Sequence, residues 1–191
     1  MKFIAGFIFA FIVIGIGAFV YVHLGFADIR ADQKPTQLET WFAGGGMDNS
    51  AERHAPNVKN PMEPTEANLH DGMVVYTMNC AVCHGTPAGD SEIGQREYPP
   101  APQFMKDAAD MPENQNFYII KHGIRLSAMP GWDKTLSDDK IWKVVTFLAN
   151  MDKLPANVDK DWKGNTPAPE VPAPAQQSAP QSERKHSHGH P

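Results

Sequence analysis

The chain of 191 residues has only two cysteines, Cys80 and Cys83, and both lie in one short motif. A single pair excludes a disulfide framework and a zinc site built from four cysteines. The chain also lacks a run of basic residues and carries a net charge of −5, which argues against nucleic-acid binding. No segment alternates apolar and polar residues long enough to predict a β-sheet. These absences favour an all-α protein that uses its cysteines for one purpose.

Large apolar side chains are scarce in the last 37 residues, where Val158, Trp162 and Val171 are the only ones. Residues 155–191 are rich in Pro and Ala and end with three alternating histidines. This composition predicts a disordered tail. The three histidines could bind a transition metal weakly, but a solvated tail is the preferred interpretation. Residues 65–154 are therefore the part able to build a core, and a core this small gains from a buried cofactor.

Residues 1–27 predict a transmembrane anchor. Phe3–Phe26 contains no Asp, Glu, Lys or Arg, and a helix of this length at about 1.5 Å per residue exceeds the ~30 Å hydrocarbon core. A cleaved signal peptide is the alternative, because Gly25 and Ala27 suit a peptidase, although its apolar region usually has about 7–15 residues. Lys2 favours a cytoplasmic N-terminus. Either interpretation places the rest of the chain in the periplasm, and the anchor places it at the bacterial inner (cytoplasmic) membrane.

Residues 28–64 predict a partly ordered periplasmic spacer with four prolines and the run Gly44-Gly45-Gly46. A short helix is expected over residues 36–43, ended by those glycines. Trp41 and Phe42 are expected to pack against the chain's own domain, in preference to binding a membrane or a partner.

Three helices are predicted within residues 65–154. The first covers about residues 66–79 behind a possible N-cap at Thr65, and the second covers about 113–122 and ends at Gly123. The third begins behind Ser137, a good N-cap, with two aspartates where the helix dipole favours acid. Its apolar stripe follows the i, i+3, i+4, i+7 pattern: Ile141, Val144, Val145 and Leu148.

The strongest motif is Cys80-Ala81-Val82-Cys83-His84. Two residues between the cysteines bring both sulfurs to one side of a helix end, where they can add to the two vinyl groups of haem, and His84 then reaches the iron. A thioredoxin-like redox pair needs a βαβ context that this helical pattern lacks. A zinc site needs two further ligands, and only scattered histidines are available. The motif therefore predicts one covalently attached haem c.

Residues 65–154 resemble a class I c-type cytochrome. Besides the haem motif, three features carry the resemblance. Gly72 and Tyr76 resemble the family's first-helix glycine and aromatic, and Tyr98-Pro99-Pro100 resembles its proline-rich loop. Gly123-Ile124 through Met129-Pro130-Gly131-Trp132 resembles its methionine loop, and Ile141–Met151 resembles its final helix. The resemblance implies a small all-α, cytochrome c-like domain around one haem. In this chain a single N-terminal transmembrane helix would precede that domain.

Met129 is the expected sixth iron ligand, because it lies on a loop beyond His84 in the family's usual arrangement. A methionine ligand raises the reduction potential and closes the iron to outside ligands. Met111, which also precedes a proline, and His122 are the alternatives. The resemblance implies that the carbonyl of Pro99 or Pro100 accepts a hydrogen bond from the His84 ring.

Two further residues, Trp132 and Arg125, are candidates for hydrogen bonds to a haem propionate. A packed core indole and a solvated guanidinium are the respective alternatives.

The sequence thus predicts a membrane-tethered mono-haem electron carrier, and not an enzyme. It would pass single electrons between redox proteins on the periplasmic side, such as a quinol-oxidising complex and a terminal oxidase or a dehydrogenase. A fixed relay subunit of a multi-subunit oxidoreductase is the second hypothesis. A haem enzyme or gas sensor with open iron is the third, and it requires that Met129 does not ligate.

The haem motif makes a direct prediction about mass. The mature protein should exceed the mass of its polypeptide by one haem, because both thiols are expected to form thioethers. Intact-mass spectrometry under denaturing conditions measures this. A double variant, Cys80→Ala with Cys83→Ala, should release the haem on denaturation. A bare polypeptide mass for the correctly exported parent would contradict the prediction.

Overall fold

The computed structural model describes residues 2–164, and within that range it contains helices and no β-strand. The all-α prediction is confirmed. The eight helices in chain order are α1 Lys2–His23, α2 Gln37–His54, α3 Glu66–Asn79, α4 Ala81–His84, α5 Glu92–Gln95, α6 Glu113–His122, α7 Asp138–Leu148 and α8 Ala156–Gly164. The three helices predicted within residues 65–154 correspond to α3, α6 and α7.

Helices α3 and α7 form the main helix pair of the domain, and they pack closely at Gly72. A Cβ atom at this position would meet the backbone of Lys143, with its carbonyl carbon 2.8 Å away, and the Cβ of Phe147 at 2.9 Å. Distances this short leave no room for a side chain. The glycine therefore sets how close the two helix axes come.

Helix α7 is buried along most of its length because its apolar stripe meets α3 on one side and α6 on the other. Its core cluster with α6 contains these buried residues: Phe117, Ile120, Ile141, Trp142, Val144 and Val145. The Ser137 hydroxyl accepts a hydrogen bond from the Lys140 amide at 3.4 Å, which caps the start of α7. Lys121 at the end of α6 binds Asp138 at 2.7 Å. These contacts fix α6 against α7.

Helix α8 lies where the sequence predicts the start of a disordered tail. Val158 and Trp162 are spaced i, i+4 and are fully buried against α3 and α7. The indole of Trp162 makes edge contacts with Tyr76 and Phe147, with ring centroids 5.6 and 5.2 Å apart. Residues 156–164 therefore belong to the folded domain. The rest of the predicted tail, 165–191, lies outside the described residues.

Helix α2 corrects the predicted structure of the spacer. A capping box at its start pairs the Thr36 hydroxyl with the Glu39 amide and the Glu39 carboxylate with the Thr36 amide. The helix then continues through Gly44-Gly45-Gly46 to His54 instead of ending at residue 43. Its C-terminal part packs on α6, where Ala51 is buried and the His54 ring stacks on Tyr118. Trp41 and Phe42 were expected to pack on the domain, and both are instead exposed.

Helix α1 is the one helix within residues 2–164 that is long and apolar enough to cross a bilayer. All of its apolar side chains are exposed, and none contributes to the core of the domain. This agrees with the prediction of a single N-terminal apolar helix ahead of a cytochrome c-like domain.

The close crossing at Gly72 predicts that a glycine-to-alanine substitution lowers stability there and raises it at Gly45 of α2. Gly72→Ala should lower the free energy of unfolding by about 1–3 kcal/mol, because its methyl group overlaps the α7 backbone. Gly45→Ala in α2 meets no atom within 4 Å. It should raise the stability of that helix by about 0.5–1 kcal/mol. Denaturant titration of the haem-loaded variants measures both. Equal stability of Gly72→Ala and parent would refute the close crossing.

Candidate functional site

The two cysteines and His84 lie on one short turn that directly follows α3. Cys80 ends α3, donating its amide to the carbonyl of Tyr76 at 2.8 Å. The amides of Cys83 and His84 in turn donate to the carbonyl of Cys80, at 3.1 and 2.9 Å. The two cysteines are not joined by a disulfide. The turn therefore presents two sulfurs and an imidazole within five consecutive residues, Cys80 to His84.

Neither thiol is activated. Burial raises the pKa of Cys80 to about 12. Burial also raises the pKa of Cys83 to about 11. The Cys83 Sγ donates a hydrogen bond to the Glu97 carboxylate at 3.0 Å, and this contact adds to the rise. A raised pKa keeps each thiol protonated at neutral pH, whereas a dithiol redox motif depends on a lowered one. The local electrostatics thus argue against a thioredoxin-like role.

The His84 ring is oriented for metal ligation. Its Nδ1 lies 2.8 Å from the carbonyl of Pro102, so Nδ1 is the protonated nitrogen and Nε2 is the one able to ligate iron. Burial lowers the pKa of His84, which favours the neutral imidazole that a metal requires. The ring stacks on Phe104 with centroids 4.6 Å apart. The resemblance implied Pro99 or Pro100 as the acceptor. In the structure it is Pro102, and Pro100 is exposed.

Gln103 links the Pro102 loop to the haem motif, and no sequence pattern indicated it. Its buried amide nitrogen donates to the carbonyls of Cys83 and Ala101, both at 2.9 Å. Its amide oxygen accepts from the Ser91 amide at 2.7 Å. One side chain thus binds both the residue before His84 and the residue before Pro102. A lone glutamine in a loop gives no periodic or motif signal that would reveal this role.

Tyr76 of α3 provides a second link to the haem motif, at the residue after His84. The Tyr76 hydroxyl, buried between α3, α7 and α8, donates to the carbonyl of Gly85 at 3.0 Å. Gly85 has φ +78°, a conformation that glycine adopts at little cost. The chain can therefore turn sharply directly after His84.

Met129 lies in a closed loop between α6 and α7. Its amide donates to the Ser127 hydroxyl at 3.2 Å, and its carbonyl accepts from Ile124 at 3.1 Å. The loop returns close to the end of α6, where Gly123 with φ +71° leaves no room for a side chain beside Gly131. Met129 is partly buried against the α6–α7 core cluster, and Cys80 packs on the same cluster. The structure thus brings the methionine and the haem motif to one apolar region.

The other candidate residues are placed less specifically. Trp132 is partly buried against the α6–α7 cluster, and Arg125 is exposed. Met111 is partly buried, with its carbonyl accepting from Asn116 at 2.8 Å. His122 is exposed, with its ring centroid 4.8 Å from that of Tyr118. Neither Met111 nor His122 belongs to the cluster that Cys80 and Met129 share.

A metal site made of side chains alone has no support in residues 2–164. No group of three or more His, Cys, Asp or Glu side chains is arranged there to hold a metal ion.

Residues 67–148 match the family model described as cbb3-type cytochrome c oxidase, subunit III. Those residues are a class I c-type cytochrome domain. A comparison with curated proteins found no match to the chain. The cytochrome domain binds haem c covalently, as the sequence predicts. The segment that matches the family model runs from the start of α3 to the end of α7 and leaves out α1, α2 and α8.

The residues of the cytochrome domain fit a covalently attached haem. Two thiols lie one helical turn apart, as attachment to both vinyl groups requires. A neutral imidazole has its Nδ1 engaged by a backbone carbonyl. A thioether sulfur lies in the loop that packs on the same apolar cluster as Cys80.

Gln103 gives the site a testable energetic role. Gln103→Leu should leave the Ser91 amide and the Cys83 carbonyl unpaired, and each buried unsatisfied group costs about 1–3 kcal/mol. The haem-loaded variant should unfold at a lower denaturant concentration than the parent. Gln95→Leu is the control, because its exposed amide makes only a 3.5 Å contact with Asp90. Equal losses in both variants would show that the Gln103 hydrogen bonds do not hold the site.

Proposed function

We propose that this protein is a membrane-tethered mono-haem electron carrier whose cytochrome domain works on the periplasmic side of a bacterial inner membrane. It would pass single electrons between respiratory partners, such as a quinol-oxidising complex and a terminal oxidase. The observation that carries the proposal is that Met129 and Cys80 pack on one apolar cluster. A methionine in that place would close the iron, and a closed iron suits electron transfer better than catalysis.

The proposed roles follow from the positions of the side chains. Cys80 and Cys83 would hold the haem through thioethers, His84 would ligate the iron through Nε2, and Met129 would supply the other protein ligand. When bound, the haem would supply one-electron chemistry through its ferric and ferrous states. Gln103 and Pro102 keep the His84 ring in one orientation through the hydrogen bonds described above.

Trp132 and Arg125 are proposed to serve the haem propionates. Trp132 is partly buried and has an indole N–H to donate. Arg125 is exposed and follows Ile124, whose amide closes the methionine loop. A position on that loop would let its charge balance a propionate.

Tethering is proposed from α1. A helix of 22 residues spans about 33 Å at 1.5 Å per residue, enough for a ~30 Å hydrocarbon core. Lys2 on its N-terminal side supports a cytoplasmic N-terminus and therefore a periplasmic domain.

A fixed relay subunit of a multi-subunit oxidoreductase is the second candidate function. The family description names a subunit of an oxidase, and this favours it. Purification in mild detergent separates the two proposals. A relay subunit should stay with other chains in a fixed ratio, whereas a carrier should be recovered alone.

Met129→Ala tests the ligand on which the carrier function depends. The haem should stay attached because both cysteines remain, and the reduction potential should fall because a ligand that favours ferrous iron is lost. Carbon monoxide should bind the reduced variant and scarcely bind the parent. Potentiometric titration and absorption spectra measure these changes.

Met111→Ala and His122→Ala are the matched controls for that experiment. Both should keep the parent's potential and its closed iron. If Met111→Ala changes the spectrum and Met129→Ala does not, the ligand is misassigned. Ready binding of carbon monoxide by the parent would favour an enzyme or a sensor over a carrier.

The anchor is tested by placing two charges at its centre. Ile12→Arg with Ile14→Arg should release the haem domain from the membrane fraction. Each arginine costs about 2.5–3.5 kcal/mol at a helix centre on insertion scales. Replacing the same positions with leucine is the control and should leave the protein in the membrane. A native mature protein that begins near Asp28 and is soluble in the periplasm would instead support the signal peptide.

A further inference from the structure

We propose that one face of α2, formed by Leu38, Trp41 and Phe42 and here called the aromatic face, lies in the headgroup region of the bilayer that α1 spans. The cytochrome domain would then rest on the membrane instead of hanging from a free tether. This inference depends on the proposed anchoring by α1 and goes beyond it.

The aromatic face is exposed in the structure. Leu38 is 71% exposed, and Trp41 and Phe42 are each 74% exposed. Their spacing of i, i+3 and i+4 puts all three on one side of the helix. Large apolar side chains that are exposed together on one side of a helix are typical of a surface that binds a protein or a membrane.

The opposite side of α2 already has a partner. Ala51 is 2% exposed, and at 100° per residue it lies roughly 140° around the helix from Leu38. The His54 ring stacks on Tyr118 of α6, and the Asn114 side chain donates to the carbonyl of Pro56 at 3.1 Å. Helix α2 is thus fixed to the domain through one side and presents the aromatic face away from α6.

The length of chain between α1 and α2 selects the bilayer as the occupant. Helix α1 ends at His23, and α2 begins at Gln37. The 13 intervening residues have a root-mean-square span of about 20 Å if flexible. An anchored chain therefore keeps the aromatic face within reach of the headgroups. Tryptophan is enriched at this depth, because its ring is apolar and its N–H can bond to water or headgroups.

Charge around the aromatic face points to apolar insertion and not to electrostatic adsorption. Between α1 and residue 43 the acidic and basic side chains nearly balance, and they are Asp28, Arg30, Asp32, Lys34 and Glu39. The carboxylate of Asp28 pairs with the guanidinium of Arg30 at 2.8 Å. A surface without excess positive charge gains little from anionic lipid. The contact should therefore form on zwitterionic lipid and persist at high salt.

Photocrosslinking tests the inference on the full-length haem-loaded protein. The protein is reconstituted into phosphatidylcholine vesicles that contain a phosphatidylcholine with a photoactivatable group near the glycerol backbone. Peptides are then mapped by mass spectrometry. Lipid adducts are expected on α1 and also on residues 37–43. Adducts on α1 alone would overturn the inference and leave the anchor intact, and adducts on neither would overturn both.

A triple variant supplies the matched comparison: Leu38→Gln, Trp41→Gln and Phe42→Gln. It should lose the adducts on residues 37–43, keep those on α1, and unfold at the same temperature as the parent, because the replaced side chains are exposed. Val58→Gln, which changes another exposed apolar residue, should keep both sets of adducts. Labelling of 37–43 by a protein partner in native membranes, with no lipid adducts there, would assign the face to that partner and overturn the inference.

Discussion

The close approach of α3 and α7 at Gly72 determines where the haem motif and the proposed ligand Met129 lie. The haem motif follows directly from the end of α3, so its position depends on how α3 is packed. The methionine loop is held by α6, through the backbone contact of Gly123 with Gly131, and α6 is packed on α7. A wider spacing at Gly72 would therefore move the cysteines relative to Met129. Packing density makes such a change costly, because a well-filled core has few alternative arrangements.

The second constraint is polar and lies beneath the His84 ring. The loop from Pro102 to Phe104 contributes a carbonyl to Nδ1, a ring that stacks on the imidazole, and the buried amide of Gln103. Hydrogen bonds in a buried network stabilise one another, and a partly satisfied network is costly. The ring orientation is thus set by several groups that must all be in place. As the proposed iron ligand, an imidazole held in this way would reorganise little when the charge on the metal changes, which would suit the proposed carrier.

Much of this architecture can be predicted from the sequence, because the relevant signals are local. The N-cap at Ser137 and the apolar stripe of α7 identify that helix without further information, and the haem motif identifies the cofactor. Helix α8 was missed because Val158 and Trp162 are only two apolar residues among prolines and charges, and their burial depends on a surface formed by distant residues. Helix α2 was cut short because glycine disfavours helices by about 1 kcal/mol, a cost that a capping box and packing of Ala51 override. The acceptor for His84 could not be read from a proline-rich loop, since several carbonyls in it were equally suitable. The assignment of Met129 as ligand stays a prediction.

The structure of α2 also changes what the proposed tether would do for encounters with other proteins. The predicted spacer covered residues 28–64, but α2 and the segment after it are attached to the domain, as the bond from Asn60 to Thr146 at 2.8 Å illustrates. Only residues 24–36 lie between α1 and α2. Effective concentration falls roughly as the −3/2 power of linker length, so 13 residues in place of 37 raise it about fivefold. For an anchored domain, a partner embedded in the same membrane gains that advantage, and a freely diffusing periplasmic partner does not.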